Sequence, residues 1–197
     1  MAVSTSLLSR ATFAAAALAA AALAAGTFAA SAALAQEPVM VGGAPMYPDR
    51  TIVENASTAD NLTTLVAAVK AADLVETLSS PGPFTVFAPT DDAFAKLPEG
   101  TVEALVQPDM KDQLTEILTY HVVAGDYSAT DLIARAMATD GSASIETVAG
   151  RMLTLSMDGN TLVVTDENGG AARVILADVA QSNGMVHAVD TVLLPKM

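Results

Sequence analysis

The hydrophobic period of this chain changes once, at Gly141, and that change limits the folds open to it. Before it, Leu62, Leu65, Val66 and Val69 fall at i, i+3, i+4 and i+7, and Leu74, Val75 and Leu78 continue an apolar face, which is the spacing of helices. After it, residues 145–148, 152–157, 161–165, 173–177 and 185–194 read as strands, separated by the turn clusters Ala149-Gly150, Asp158-Gly159-Asn160 and Asn168-Gly169-Gly170. A helical first half followed by hairpins predicts an α+β fold. With no internal repeat, it predicts a single module.

The first half is punctuated by prolines. Residues 36–50 contain Pro38, Gly42, Gly43, Pro45 and Pro48, a composition that predicts an N-terminal arm rather than a helix or central strand. Helices are expected from Thr51 up to the breaker Pro81-Gly82-Pro83. Residues 84–88, β-branched and aromatic between prolines, read as a buried strand. Thr90 is placed to cap a short helix whose first residues, Asp91 and Asp92, suit the positive end of its dipole. Further helices are expected over 101–106 and 109–119, the latter with Met110, Leu114, Ile117 and Leu118 on one face. Residues 120–123 read as the next strand, and Ser128 or Thr130 as the cap of a helix running to Met137.

Three motifs stand out in this frame: Phe84-Thr-Val-Phe-Ala-Pro-Thr-Asp-Asp-Ala-Phe94, Tyr120-His121, and Asn183-Gly-Met-Val-His-Ala-Val-Asp-Thr-Val-Leu-Leu-Pro195. In this order they resemble the two boxes and the Tyr-His step of a fasciclin domain, over about residues 51–195. The resemblance implies a bent pair of β-sheets packed beside a group of helices, and an adhesion or interaction role with no catalysis. It also implies that Tyr120-His121, within Leu118-Thr-Tyr-His-Val-Val-Ala-Gly125, matches the motif implicated in receptor adhesion in animal relatives. Val86, Phe87, Val186 and Val189 have the pattern of paired core strands, so the two boxes themselves read as fold rather than site.

Residues 1–35 carry one charge, Arg10, ahead of an Ala/Leu-rich run that ends in Ala33-Leu34-Ala35. This is the layout of a signal peptide cleaved after Ala35, and it predicts a secreted or periplasmic protein. The rival reading is an uncleaved anchor, because residues 11–35 are uncharged and long enough to span a bilayer; the weak apolarity of alanine and the small-x-small site favour cleavage. No second hydrophobic span follows at the C-terminus, so no stable membrane span is expected after cleavage. The net charge of −13 disfavours nucleic acid, whose phosphates call for clustered Lys and Arg. With no Cys, an exported chain must stand on packing alone.

Few residues are available for chemistry. His121 and His187 are the only histidines, there is no thiol, and no Gly-x-Ser-x-Gly elbow occurs, so no catalytic residue, metal ligand set or cofactor is expected. Histidines inside apolar runs default to hydrogen bonding within the fold. Asp91 and Asp92 point about 100° apart on a helix and are poorly placed to share a proton. Asp166-Glu-Asn-Gly-Gly170 lacks the ligand spacing of a calcium loop and reads as a hairpin turn. Asn55-Ala-Ser57 and Asn61-Leu-Thr63 satisfy the short N-glycosylation pattern. The leading expectation is an exported module that binds a protein or a cell-surface or matrix component, with Tyr120 and His121 as the candidate contact. The alternative is a periplasmic small-ligand or metal-responsive binding protein using His121, His187 or the acidic surface.

Overall fold

A computed structural model describes residues 38–98, 100–139 and 141–196. The expected signal peptide, and the first residues of the arm, lie outside the described residues. In chain order the elements are β1 Val39–Val41, β2 Ala44–Met46, α1 Ile52–Ala56, α2 Thr63–Ala71, α3 Val75–Ser79, β3 Phe84–Pro89, α4 Asp91–Ala95 and α5 Thr101–Leu105. They continue with α6 Lys111–Tyr120, β4 Val122–Ala124, α7 Ala129–Ala138, β5 Ser142–Glu146, β6 Met152–Asp158, β7 Thr161–Thr165, β8 Ala171–Gln181 and β9 Gly184–Val189. All the described helices fall before Gly141 and the five strands β5 to β9 follow it, as the period change predicts, while β1 to β4 lie among or ahead of the helices; the whole is α+β.

Seven strands form one sheet in the order β4-β3-β9-β8-β7-β6-β5. The pairs β6–β7 and β7–β8 are antiparallel and joined by turns at Gly159 and Gly169, where positive φ is needed. The two boxes meet as β3 and β9, the parallel pair, with Val86 opposite Val186 and Phe87 opposite His187. Gly184 opens β9 against β3 so closely that a Cβ there would lie 1.9 Å from the carbonyl oxygen of Phe84. Only glycine permits that approach.

The sheet bends at β8. Its first residues pair with β7 and its later ones with β9, and register shifts between Val174 and Leu176 and between Leu176 and Val179 mark the bulged corner. At the far side the Val148 amide donates to the Val122 carbonyl at 2.7 Å, drawing the β5 end of the sheet back to β4. The result is the nearly closed wedge implied by the resemblance.

Because side chains alternate across a strand, the central strands serve two cores at once. Val86, Ala88 and Val186 face the helices, with Leu62, Leu65, Val69, Leu114, Ile117 and Leu118. Phe87 and Val189 face into the wedge, with Tyr120, Leu132, Leu153, Leu155, Val164 and Leu193.

The structure adds to some of these expectations and corrects others. The 36–50 arm contains a two-stranded hairpin, β1–β2, that packs Val41 and Met46 into the helical core. Pro45 is tolerated because this is an isolated two-stranded sheet, in which a missing N–H breaks no central ladder. Thr90 occupies the N-cap position of α4, but its hydroxyl makes no capping bond. Asp91 instead caps a different helix, α2, accepting from the Thr64 amide at 2.8 Å and from the hydroxyl and amide of Thr63 at 2.8 and 3.3 Å. Ser128 caps α7 in a reciprocal box with Asp131. Strand β9 stops at Val189, and residues 190–196 continue without regular secondary structure.

Candidate functional site

Helix α6 delivers the Tyr-His step. Leu114, Ile117 and Leu118 seat it on the core, and the helix runs through Tyr120 with His121 as its C-cap, so β4 begins only at Val122. This corrects the expectation of a strand over 120–123. The imidazole supports this later end: Nδ1 of His121 donates to the carbonyl of Ile117 at 2.7 Å, taking over an acceptor that the last turn would otherwise leave open.

His121 is 2% exposed and both of its ring nitrogens are used. With Nδ1 as the donor, Nε2 accepts the Leu193 amide at 3.0 Å, which fixes the neutral tautomer. Burial drives its pKa down to about 4, against the opposing pull of the Ile117 carbonyl and Asp166. His187 is built the same way: Nε2 donates to the Tyr127 carbonyl at 2.9 Å, and Nδ1 accepts the Asp178 amide at 3.2 Å. Burial lowers its pKa too, opposed by the Tyr127 carbonyl, Asp178 and Asp126. The two rings therefore staple backbone in the core, as the default reading of histidines in apolar runs expects.

Tyr120 is 0% exposed. Its hydroxyl donates to the carbonyl of Met152 at 3.1 Å and accepts the amide of Glu167 at 3.2 Å, joining α6 to β6 and to the β7–β8 turn. Burial raises the pKa of the phenol, so it remains a donor. The candidate contact pair thus lies inside the molecule. What it holds at the surface is a seam in which Val148 and Met152 are each 45% exposed. Beside them Arg151 clasps Glu116, at 2.9 Å through Nε and 2.7 Å through Nη2, and Glu167 at 3.2 Å through Nη1.

Sequence reasoning did not single out Arg151, Glu116 or Glu167. Each is an ordinary charged residue at its own position, and only the sheet closure brings the three together.

The remaining candidates resolve as structure. In the Asp166 turn, Oδ1 accepts the amides of Asn168 and Gly170 at 2.9 and 2.7 Å, and Oδ2 accepts the Leu194 amide at 3.0 Å. The Asn55 carboxamide is buried, donating to the Tyr47 carbonyl and to Gln181, so this acceptor pattern is closed in the folded chain. Among the described residues, no group of three or more His, Asp or Glu is arranged to hold a metal ion. The apolar cavity beside His121, walled by Ile52, Leu65, Val69, Leu78 and Val86, measures about 30 Å³, room for a water-sized guest at most. No described helix is long and apolar enough to cross a membrane.

A wedge of this topology with a Tyr-His step at the end of α6 is the arrangement that the three sequence motifs imply. The chain belongs to the fasciclin domain family, whose model matches residues 60–195. Protein sll1483 of Synechocystis is 51% identical over 148 residues, covering 75% of this chain and 74% of that protein. Immunogenic protein MPB70 of Mycobacterium bovis is 36% identical over 170 residues, covering 84% of this chain and 78% of that protein. Human periostin is 30% identical over 136 residues, 69% of this chain but only 15% of periostin. Among solved structures, a FAS1 domain pair from the insect cell adhesion molecule Fasciclin I shares the fold, with a TM-score of 0.67 and 21% identity, covering 75% of this chain and 52% of that chain.

Proposed function

We propose that this protein is an exported, non-catalytic adhesion module, and that it engages a protein or cell-surface component through the seam held in place by Tyr120 and His121. One observation carries the reading: the Tyr120 hydroxyl fixes the backbone of Met152 and Glu167, and so sets the position of half-exposed Met152 beside the Arg151 clasp, while the Val122 carbonyl holds half-exposed Val148. Apolar side chains rimmed by a partly exposed arginine are the usual makings of a protein contact. Membership of the fasciclin family and the likeness to an insect cell adhesion molecule support it. Export rests on the signal-peptide layout of residues 1–35.

The motif then acts by positioning rather than by touch. The test is binding of purified protein, lacking residues 1–35, to native envelope fractions or to matrix-coated surfaces. Val148→Glu/Met152→Glu should weaken binding about tenfold or more with the fold intact. Binding unchanged in that folded variant would remove the seam from the role.

A further inference from the structure

We propose that Asn168 is a site of spontaneous deamidation, and that its conversion unpins the C-terminal segment from the wedge. Residues 190–196 have no regular secondary structure, yet Leu193 sits in the wedge core and Val192 in the helical one. Three side chains from elsewhere hold the end of the segment: His121 takes the Leu193 amide, Asp166 takes the Leu194 amide, and Asn168 Nδ2 donates to the carbonyls of Leu194 at 2.8 Å and Pro195 at 3.3 Å. Asn168 is the only one of the three that supplies a donor.

Asn168 is followed by Gly169 in an exposed turn. In an Asn-Gly pair the glycine nitrogen attacks the side-chain carbonyl carbon of the asparagine. A bond forms between Gly169 N and Asn168 Cγ, the bond from Cγ to Nδ2 breaks, and the nitrogen leaves as ammonia. Water then opens the five-membered imide to aspartate or isoaspartate. The geometry around Gly169 suits this course: a Cβ built there would meet nothing within 4 Å, so the attacking unit can turn and water can enter. The Gly169 amide is held only by the Asp166 carbonyl at 3.1 Å.

The second Asn-Gly pair is an internal control. Asn183 is buried, with Oδ1 accepting the Ile52 amide at 3.0 Å and Nδ2 donating to the carbonyls of Leu78 and Ser80 at 2.7 and 3.1 Å. Gly184 is locked in β9 against the Phe84 carbonyl. The same dipeptide is therefore reactive at one position and blocked at the other.

Conversion replaces a donor with a carboxylate facing two carbonyl oxygens, next to Asp166 and Glu167. Like charges and unpaired acceptors then oppose the docked segment. The change is one-way, so the loosened form accumulates with the age of the molecule.

The experiment ages the intact protein in mildly alkaline buffer and follows both Asn-Gly peptides by mass. Asn168 should gain one mass unit while Asn183 does not, and Asn168→Gln, which would need a six-membered ring, should stop the change. Equal conversion at both sites, or none at Asn168, overturns the proposal. Aged protein separated by charge, and Asn168→Asp as the product mimic, should exchange the Leu194 amide about tenfold faster or more, with Val164 in β7 unchanged. Unchanged exchange at Leu194 in the aged form would refute the unpinning.

Discussion

Nε2 of His121 accepts the backbone amide of Leu193 at 3.0 Å, across 72 positions in sequence. A protonated ring cannot accept, and the site that surrounds it is apolar. Acid should therefore attack this contact first. His121 has a folded-state pKa of about 4 against 6.5 for the free side chain, so the unfolded state binds more protons throughout that interval. The stability it contributes is present above pH 6.5 and is lost as pH falls toward 4. Between pH 7 and pH 5 the loss from His121 alone is about 2 kcal/mol, and His187 shifts in the same direction. Urea denaturation at the two pH values checks this, and His121→Gln, which has no proton to gain, should flatten the difference.

Tyr120 carries two hydrogen bonds and a buried ring. Tyr120→Phe keeps the ring but leaves the Glu167 amide and the Met152 carbonyl without their partner, at a cost of about 1–3 kcal/mol. Tyr120→Ala empties the ring site as well and should cost about 3–5 kcal/mol. Chemical denaturation should show that order. Loss of binding in the Phe variant, with the fold retained, would be the signature of a positioning role.

The adjacent acids Asp91 and Asp92 should behave differently. Asp91 caps α2, and although burial alone would raise its pKa, the amides and hydroxyl of Thr63 and Thr64 hold it below the usual carboxylate value. Asp91→Ala should cost about 1 kcal/mol, and Asp92→Ala less than about 0.5 kcal/mol. The Asp91 contribution is present above the unfolded pKa near 3.8 and disappears as pH drops below it. Thermal melts of the two alanine variants at neutral pH make the comparison.

The hairpin ahead of the family match is expected to be part of the folded unit. Met46 is buried in the helical core, while Met40 on the paired strand is exposed. Met46→Ala should cost about 2–4 kcal/mol and Met40→Ala less than about 0.5 kcal/mol. Equal midpoints in urea for the two variants would show the hairpin to be dispensable.

Much of this architecture can be read from residues alone where local chemistry and tertiary packing agree. Strand β7 falls at 161–165 as expected because a short run rich in β-branched residues lies between two glycine turns. The central strands are legible for the same reason. The misplaced strand at 120–123 and the overlong last strand share one cause: a side chain substitutes for backbone pairing. Val122 and Val123 make the Tyr120 region look extended, but the imidazole of His121 closes the helix end and keeps it helical. Val192, Leu193 and Leu194 look like strand because they are apolar, yet side chains hold the backbone of Leu193 and Leu194. The motif could be found by eye, but its burial could not, since a Tyr-His pair reads the same inside a core as on a surface. The seam of Val148, Arg151 and Met152 has no sequence signature because it exists only once β4 and the β5 end of the sheet have met.

The pairing of β3 with β9 also dictates an order of events. Strand β9, inside the sheet between β3 and β8, comes last of the seven in chain order, and its parallel neighbour β3 lies a hundred positions earlier. Neither core can be completed from the N-terminal portion, because Val186 is missing from one and Val189 and Leu193 from the other until the end arrives. Contacts between such distant partners form slowly, because a long loop must close before they are made. Docking of β9 between β3 and β8 is thus the closing step, because that one strand supplies side chains to both cores at once.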